Sequence, residues 1–199
     1  LSMFLSLPAA VALIVGSEQI ISALFGYGSF DELSVTNSAK ALYYFGLGLP
    51  AFALIKVFST FFFANQDTKT PFYISLFSVI LNILISVYFF REIGFIIIPI
   101  ATTISSWFNA IILFVYLKNK DLFNFNELFF AKLIKILLAS IIMGIFFNYL
   151  ILFFENKLIY EYNFKSFYLI LSAFLSLIFY LSFSLFIKAF KYGDIKLKY

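Results

Sequence analysis

The sequence predicts an all-α polytopic membrane protein with six transmembrane helices, on three observations. Of its 199 residues 63% are hydrophobic and only 12% charged, and the mean hydropathy of +1.02 is far above that of soluble domains. Six apolar runs alternate with short polar interruptions, several of them close to the ~20 residues that a helix needs to cross a bilayer. Lysines gather at the interruptions, and more of them at every second one.

The first apolar run covers about residues 1–15 and is followed by Gly16-Ser17-Glu18-Gln19 and a second apolar piece, residues 20–25. Either one long helix carries Glu18 near its outer end, or a short interfacial segment follows the span. Two glycines and two acids in residues 26–32 then break the helix. The second helix is expected over about residues 41–64, with Gly46, Gly48 and Pro50 permitting close contact and a bend. It ends in the polar turn Asn65-Gln66-Asp67-Thr68-Lys69-Thr70-Pro71. Thr70 is a candidate N-cap for the third helix, residues 71–90, and Pro71 suits its first position, where a missing N–H costs nothing.

Arg91-Glu92-Ile93-Gly94 closes the third helix, and the fourth is expected over about 97–117. Residues 122–130 read as an amphipathic connector at the membrane interface. The fifth and sixth helices cover about 133–154 and 167–190, and a polar, basic tail follows. The opening Leu-Ser-Met-Phe-Leu, without an initiator methionine or a basic stretch, does not resemble a signal peptide; the expectation is the C-terminal part of a longer protein.

With strict alternation, one side carries Lys69, Lys118, Lys120, Lys132, Lys135, Lys188, Lys191, Lys196 and Lys198, against Lys40, Arg91, Lys157 and Lys165 on the other. The richer side is expected to be cytoplasmic, and the C-terminus with it. The net charge of +4 is therefore read as topology, not as a nucleic-acid footprint. With no histidine and no cysteine, disulfides, thiolate nucleophiles, histidine triads and most zinc sites are excluded. The ten acidic residues are scattered rather than clustered, so neither an enzyme, a metal nor a cofactor is expected.

Within the spans, one charge asks for a reason. Lys56 lies inside the second helix, about eight residues or ~12 Å from its end, at the edge of what a snorkelling lysine bridges. It either snorkels between helices or faces a hydrated pathway and holds an anionic group such as a phosphate, with Ser59 and Thr60 on its face. Helical spacing also aligns Ser75, Ser78, Asn82 and Ser86 on the third helix and Thr102, Ser105, Ser106 and Asn109 on the fourth. Ser140, Gly144 and Asn148 on the fifth and Ser172 and Ser176 on the sixth do the same. Such stripes serve helix packing or line a wet cavity. Asp67 and Lys69 are expected to cap and orient the turn, with gating as the alternative.

Particular residues also suggest a family. Leu7-Pro8-Ala9-Ala10-Val11-Ala12-Leu13, Gly28-Ser29-Phe30, Gly48-Leu49-Pro50-Ala51-Phe52, Lys56-Val57, Phe62-Phe63-Ala64 and Asp67-Thr68-Lys69-Thr70-Pro71 stand in register with Asn82 and Trp107-Phe108-Asn109-Ala110. In that combination the chain resembles the C-terminal part of the MurJ/MviN lipid II flippases, members of the superfamily of multidrug, oligosaccharidyl-lipid and polysaccharide exporters. The resemblance implies helices nine to fourteen of a fourteen-helix flippase. Residues 1–117 would be the last four helices of the second six-helix lobe, and residues 118–199 the connector, two C-terminal helices and a cytoplasmic tail.

It further implies a bacterial inner-membrane protein that moves a lipid-linked peptidoglycan precursor to the periplasmic leaflet by alternating access. The phospholipid bilayer would be its surroundings, and a coupling ion is left unnamed. The family's cavity arginines lie upstream of this stretch, so the stretch alone is not expected to transport. Alternative readings are a related polysaccharide-lipid or drug exporter, a non-transporting membrane scaffold, or a membrane-embedded enzyme, for which no acidic or histidine cluster is visible.

Overall fold

A computed structural model describes residues 1–120 and 127–189. Among the described residues the chain folds as α1 (Ser2–Val15), α2 (Ser17–Phe25), α3 (Glu32–Ala64), α4 (Lys69–Ile93), α5 (Ile97–Asn119), α6 (Glu127–Phe153), α7 (Glu155–Leu158) and α8 (Lys165–Phe186), with a 3-10 turn at Gly94–Ile96. The long helices stand side by side in the order α4, α5, α3, α1, α6, α8. The short α2 lies across one end of this row, in contact with both α3 and α8.

Of the two expectations for residues 1–25, the broken one holds: α1 and α2 meet at Gly16 with a bend of 79°. A Cβ on Gly16 would come within 2.6 Å of the Phe147 ring, so the break is also a packing point for α6. At 14 residues α1 is ~21 Å long.

α3 starts nine residues before the expected 41, because Asp31 caps it by accepting the Ser34 N–H at 2.8 Å. The polar composition of residues 32–40 hid this extension from a reading based on apolar runs. Gly46 and Gly48 do sit at close contacts, the first against Ile14 and Leu13 of α1 and the second against Thr103 of α5. Pro50 lies inside α3, and two α5 side chains bond carbonyls in the turn before it, Thr103 Oγ1 to Tyr44 O at 2.6 Å and Trp107 Nε1 to Leu47 O at 3.0 Å.

The α3–α4 turn is a Schellman motif: Gln66 N–H bonds Phe63 O and Asp67 N–H bonds Phe62 O. Gln66 takes the left-handed conformation, φ 59°, that such turns usually assign to glycine. The expected Thr70 cap is corrected, since α4 begins at Lys69 with Thr68 at the N-cap, whose own side chain makes no capping bond. Asp67, one residue earlier, accepts the Thr70 N–H at 3.0 Å and the Thr70 hydroxyl at 2.8 Å instead. A carboxylate is the stronger acceptor for the free amides of a first turn. Pro71 still lies in that turn, where no intrahelical N–H bond is lost.

Four segments are long and apolar enough to cross a bilayer, Glu32–Ala64, Lys69–Asn119, Phe129–Phe153 and Lys165–Phe186, with the bent α1–α2 pair a fifth. Lys69–Asn119 folds back at Gly94, φ 75°, and its halves run antiparallel, as bonds from Asn82 to Thr102 and from Asn109 to Ser75 require. Six crossings therefore need this hairpin to cross twice and the broken pair once. The expected connector is also corrected in part: residues 121–126 lie outside the described residues, but from Glu127 onward the chain is already the start of α6, with no glycine or proline before Gly144. The last helix ends at Phe186 rather than 190, and the basic tail lies outside the described residues.

Cores are small and local. Phe58, Phe62, Ile74, Leu113 and Leu117 join α3, α4 and α5, while Phe4, Ala139, Met143 and Tyr180 join α1, α6 and α8. α4 buries Pro71, Ile74 and Ser78 and leaves most of its apolar side chains facing outward, as suits hydrocarbon or further helices.

Candidate functional site

The stripes of α4 and α5 face one another and, with Phe52 and Ile55 of α3, line a groove of about 310 Å³. Asn82 Nδ2 donates to Thr102 Oγ1 at 3.1 Å and to Ser105 Oγ at 3.3 Å, and Asn109 Nδ2 donates to Ser75 Oγ at 3.3 Å. Ser78, Thr102, Ser105 and Ser106 return their hydroxyl protons to carbonyls of their own helices. Asn109 is 6% exposed and its Oδ1 accepts nothing, as is true of the buried Ser86 Oγ. The two asparagines thus zip α4 to α5, and Asn109 keeps an unfilled acceptor oxygen beside the groove.

On α6 and α8 the stripes pack. Ser140, Ser172 and Ser176 are buried and bond within their helices, and Gly144 is backed by Val11 of α1 so closely that a Cβ would overlap it. Asn148, at the end of that stripe, is exposed.

Lys56 is not brought into the groove. It is exposed on α3, one turn beyond Phe52, and makes no hydrogen bond or ion pair among the described residues. Ser59 is half-buried one turn on, and Thr60 is exposed, its hydroxyl bonded to Val57 O at 2.5 Å. These three residues form a flank of α3 separate from the Asn82–Asn109 pair.

The turn of Asp67, Thr68, Lys69, Thr70 and Pro71 is tied to the end of α5. Lys120 Nζ stands 2.7 Å from Asp67 Oδ2 and 3.5 Å from Thr70 Oγ1. The Lys120 ammonium, ahead of the bonds from Thr70, holds the Asp67 carboxyl well below its ordinary value. Lys69 and Thr68 are exposed, and Pro71 is buried.

Sequence reading missed the tightest polar cluster. Lys165, counted only as a loop charge, is 0% exposed. Its ammonium donates to Gly26 O and Tyr160 O, both at 2.6 Å, and lies 4.4 and 4.5 Å from the ring centroids of Tyr27 and Tyr160. Tyr160 in turn bonds Phe30 O at 2.6 Å, and Tyr27 meets Ser166 at 2.7 Å. The only sequence signal was a lysine just before an apolar run with tyrosines nearby.

The family model described as "Lipid II flippase MurJ" matches residues 1–172. A probable lipid II flippase MurJ of Rickettsia prowazekii is 36% identical over 153 residues, 75% of this chain and 30% of that protein. Its counterpart in Thermotoga maritima is 36% identical over 143 residues, 72% of this chain and 28% of that protein. A solved structure of lipid II flippase MurJ in an inward closed conformation superposes with a TM-score of 0.76 at 25% identity, over 94% of this chain and 37% of that one. The chain therefore spans under a third of the length of these curated relatives.

Proposed function

We propose, on the premise that this chain belongs to the lipid II flippase MurJ family, that it forms the C-terminal part of a flippase moving a lipid-linked peptidoglycan precursor from the cytoplasmic to the periplasmic leaflet of a bacterial inner membrane. The observation that carries this reading is the family match over residues 1–172, joined to the superposition on the inward closed flippase. The work is binding and alternating access, two lobes rocking about a site near the midplane, not bond making. Six crossings are proposed, with α1–α2, α3, α4 and α5 in the second lobe, residues 1–117, and α6 and α8 in the C-terminal part, residues 118–199.

The end of the row carrying Asp67, Lys69, Lys118, Lys120, Lys132 and Lys188 faces the cytoplasm in this reading, by the positive-inside rule, and the C-terminus with it. The exposed flank of α3 with Lys56, Ser59 and Thr60 faces the hydrated pathway, where a cation attracts the pyrophosphate of the substrate. Asn82 and Asn109 hold α4 against α5 at the wall of that lobe. The Asp67–Pro71 turn fixes the cytoplasmic end, and a coupling ion remains compatible with this scheme.

The test is complementation. The full-length gene, expressed as the sole flippase in cells depleted of their own, sustains growth and prevents build-up of the lipid-linked precursor in the cytoplasmic leaflet. Failure to do so at normal membrane abundance overturns the reading. Lys56→Ala in the same assay lowers growth, and unimpaired growth removes Lys56 from the pathway.

A further inference from the structure

α8 stands at the far edge of the row, yet side chains along it donate to backbone carbonyls of α1 and α2. At one end Ser166 Oγ donates to Ala23 O and Lys165 Nζ to Gly26 O, both at 2.6 Å. These acceptors lie in the last turn of α2 and at its C-cap, where no following turn supplies N–H groups. The Tyr27 N–H, which a longer helix would direct to Ala23 O, bonds Phe25 O instead.

Some fifteen positions further along α8, or ~22 Å at the helical rise, Tyr180 repeats the arrangement on α1. Tyr180 is 1% exposed, its ring lies 5.1 Å from that of Phe4, and its hydroxyl donates to Phe4 O at 2.7 Å. A regular helix would give Phe4 O the N–H of the residue four positions on, but that residue is Pro8, which has none. Inside a bilayer no water replaces the missing donor, so a carbonyl left open there is costly. Apolar packing alone would be met by phenylalanine, which is abundant in this chain; it does not account for a hydroxyl placed on the carbonyl that the proline opens.

We propose that Pro8 and Tyr180 form a docking pair, an opened carbonyl in α1 and a hydroxyl in α8 that fills it, and that this pair and the α2 end together fasten α8 to α1–α2 at two points. A single fastening at α2 would let α8 swing about it. Two fastenings ~22 Å apart set its tilt as well as its position, so α8 moves as one body with α1 and α2. In a transporter of two rocking lobes this assigns the last helix to the lobe of α1 and α2, an assignment that rests on the flippase reading while the fastening itself does not.

The test is made on the full-length protein in detergent, without reference to transport. Tyr180→Phe, which keeps the ring, lowers the midpoint of thermal unfolding by roughly 3–5 °C. In a Pro8→Ala background residue 8 again offers an N–H to Phe4 O, and the same substitution lowers the midpoint by less than half as much. Spin labels on Leu24→Cys in α2 and Phe186→Cys at the far end of α8, both exposed positions, in a background without other cysteines, give one narrow distance that Tyr180→Phe broadens. Tyr149→Phe, which removes an exposed hydroxyl from α6, changes neither measurement. A midpoint or a distance distribution that Tyr180→Phe leaves unchanged, or an equal loss with and without Pro8, overturns the docking pair. Should Pro8→Ala fail to fold, the label distances decide. A broad or two-peaked distance in the parent overturns the single body, since α8 would then move apart from α2.

Discussion

Lys56 and Lys165 stand in opposite environments. Lys56, within an apolar stretch of α3, keeps its ammonium exposed and without a partner among the described residues. Lys165, at the mouth of α8, is fully buried, with two carbonyls and two tyrosine rings around its charge. A charge removed from water needs a complete set of partners, because an uncompensated buried ion costs several kcal/mol. Lys165 therefore has structural work that can be read from its contacts, and Lys56 has none here.

That contrast can be broken at its strong end first. Lys165→Met leaves Gly26 O and Tyr160 O buried without their charged donor, and the expected cost is roughly 3 kcal/mol, from ~1.5 kcal/mol or more for each hydrogen bond to a charged group. Thermal unfolding in detergent measures it, and a variant as stable as the parent would show that the cage holds nothing.

Next comes the half-exposed Lys120, whose contribution depends on pH through Asp67. Because the native carboxyl titrates below its ordinary value of 3.8, its stabilising bonds are complete above that value and fade as pH falls toward the native one. The stability gap between the parent and Asp67→Asn should be open at pH 7 and narrow steadily below pH ~4. A gap that does not change with pH would mean that the ion pair at 2.7 Å contributes nothing. Smallest is Lys56→Met, expected to change stability by no more than ~0.5 kcal/mol. A large loss there would end the contrast and make Lys56 a packing residue.

Much of this architecture was legible because hydrophobic runs and helix punctuation are local. The α3–α4 turn, the break at Gly94 and the separate stripes that carry Asn82 and Asn109 follow from neighbours within a few turns, whereas the facing of the two stripes is set by bonds between the helices. What escaped depends on contacts between distant residues. The Lys165 cage draws on Gly26, Tyr27 and Tyr160, and the carbonyls before Pro50 are met by Thr103 and Trp107, some sixty positions away. Depth in an apolar run places Lys56 along the membrane normal, but which face of α3 is covered is decided by α1 and α5.

The row carries a strap at the end crossed by α2. Where α2 crosses it, α8 is fastened to the rest through Tyr27, Ser166 and Lys165, much as pages are sewn along a spine. At the opposite end the Lys120–Asp67 ion pair joins α5 to the α3–α4 turn, and α1, α3 and α6 part around a cleft of about 300 Å³ bordered by Phe61, Lys132 and Ile136. Widening of that cleft would leave the contacts of Lys165, Tyr27 and Ser166 in place, so the α2 end would serve as its hinge.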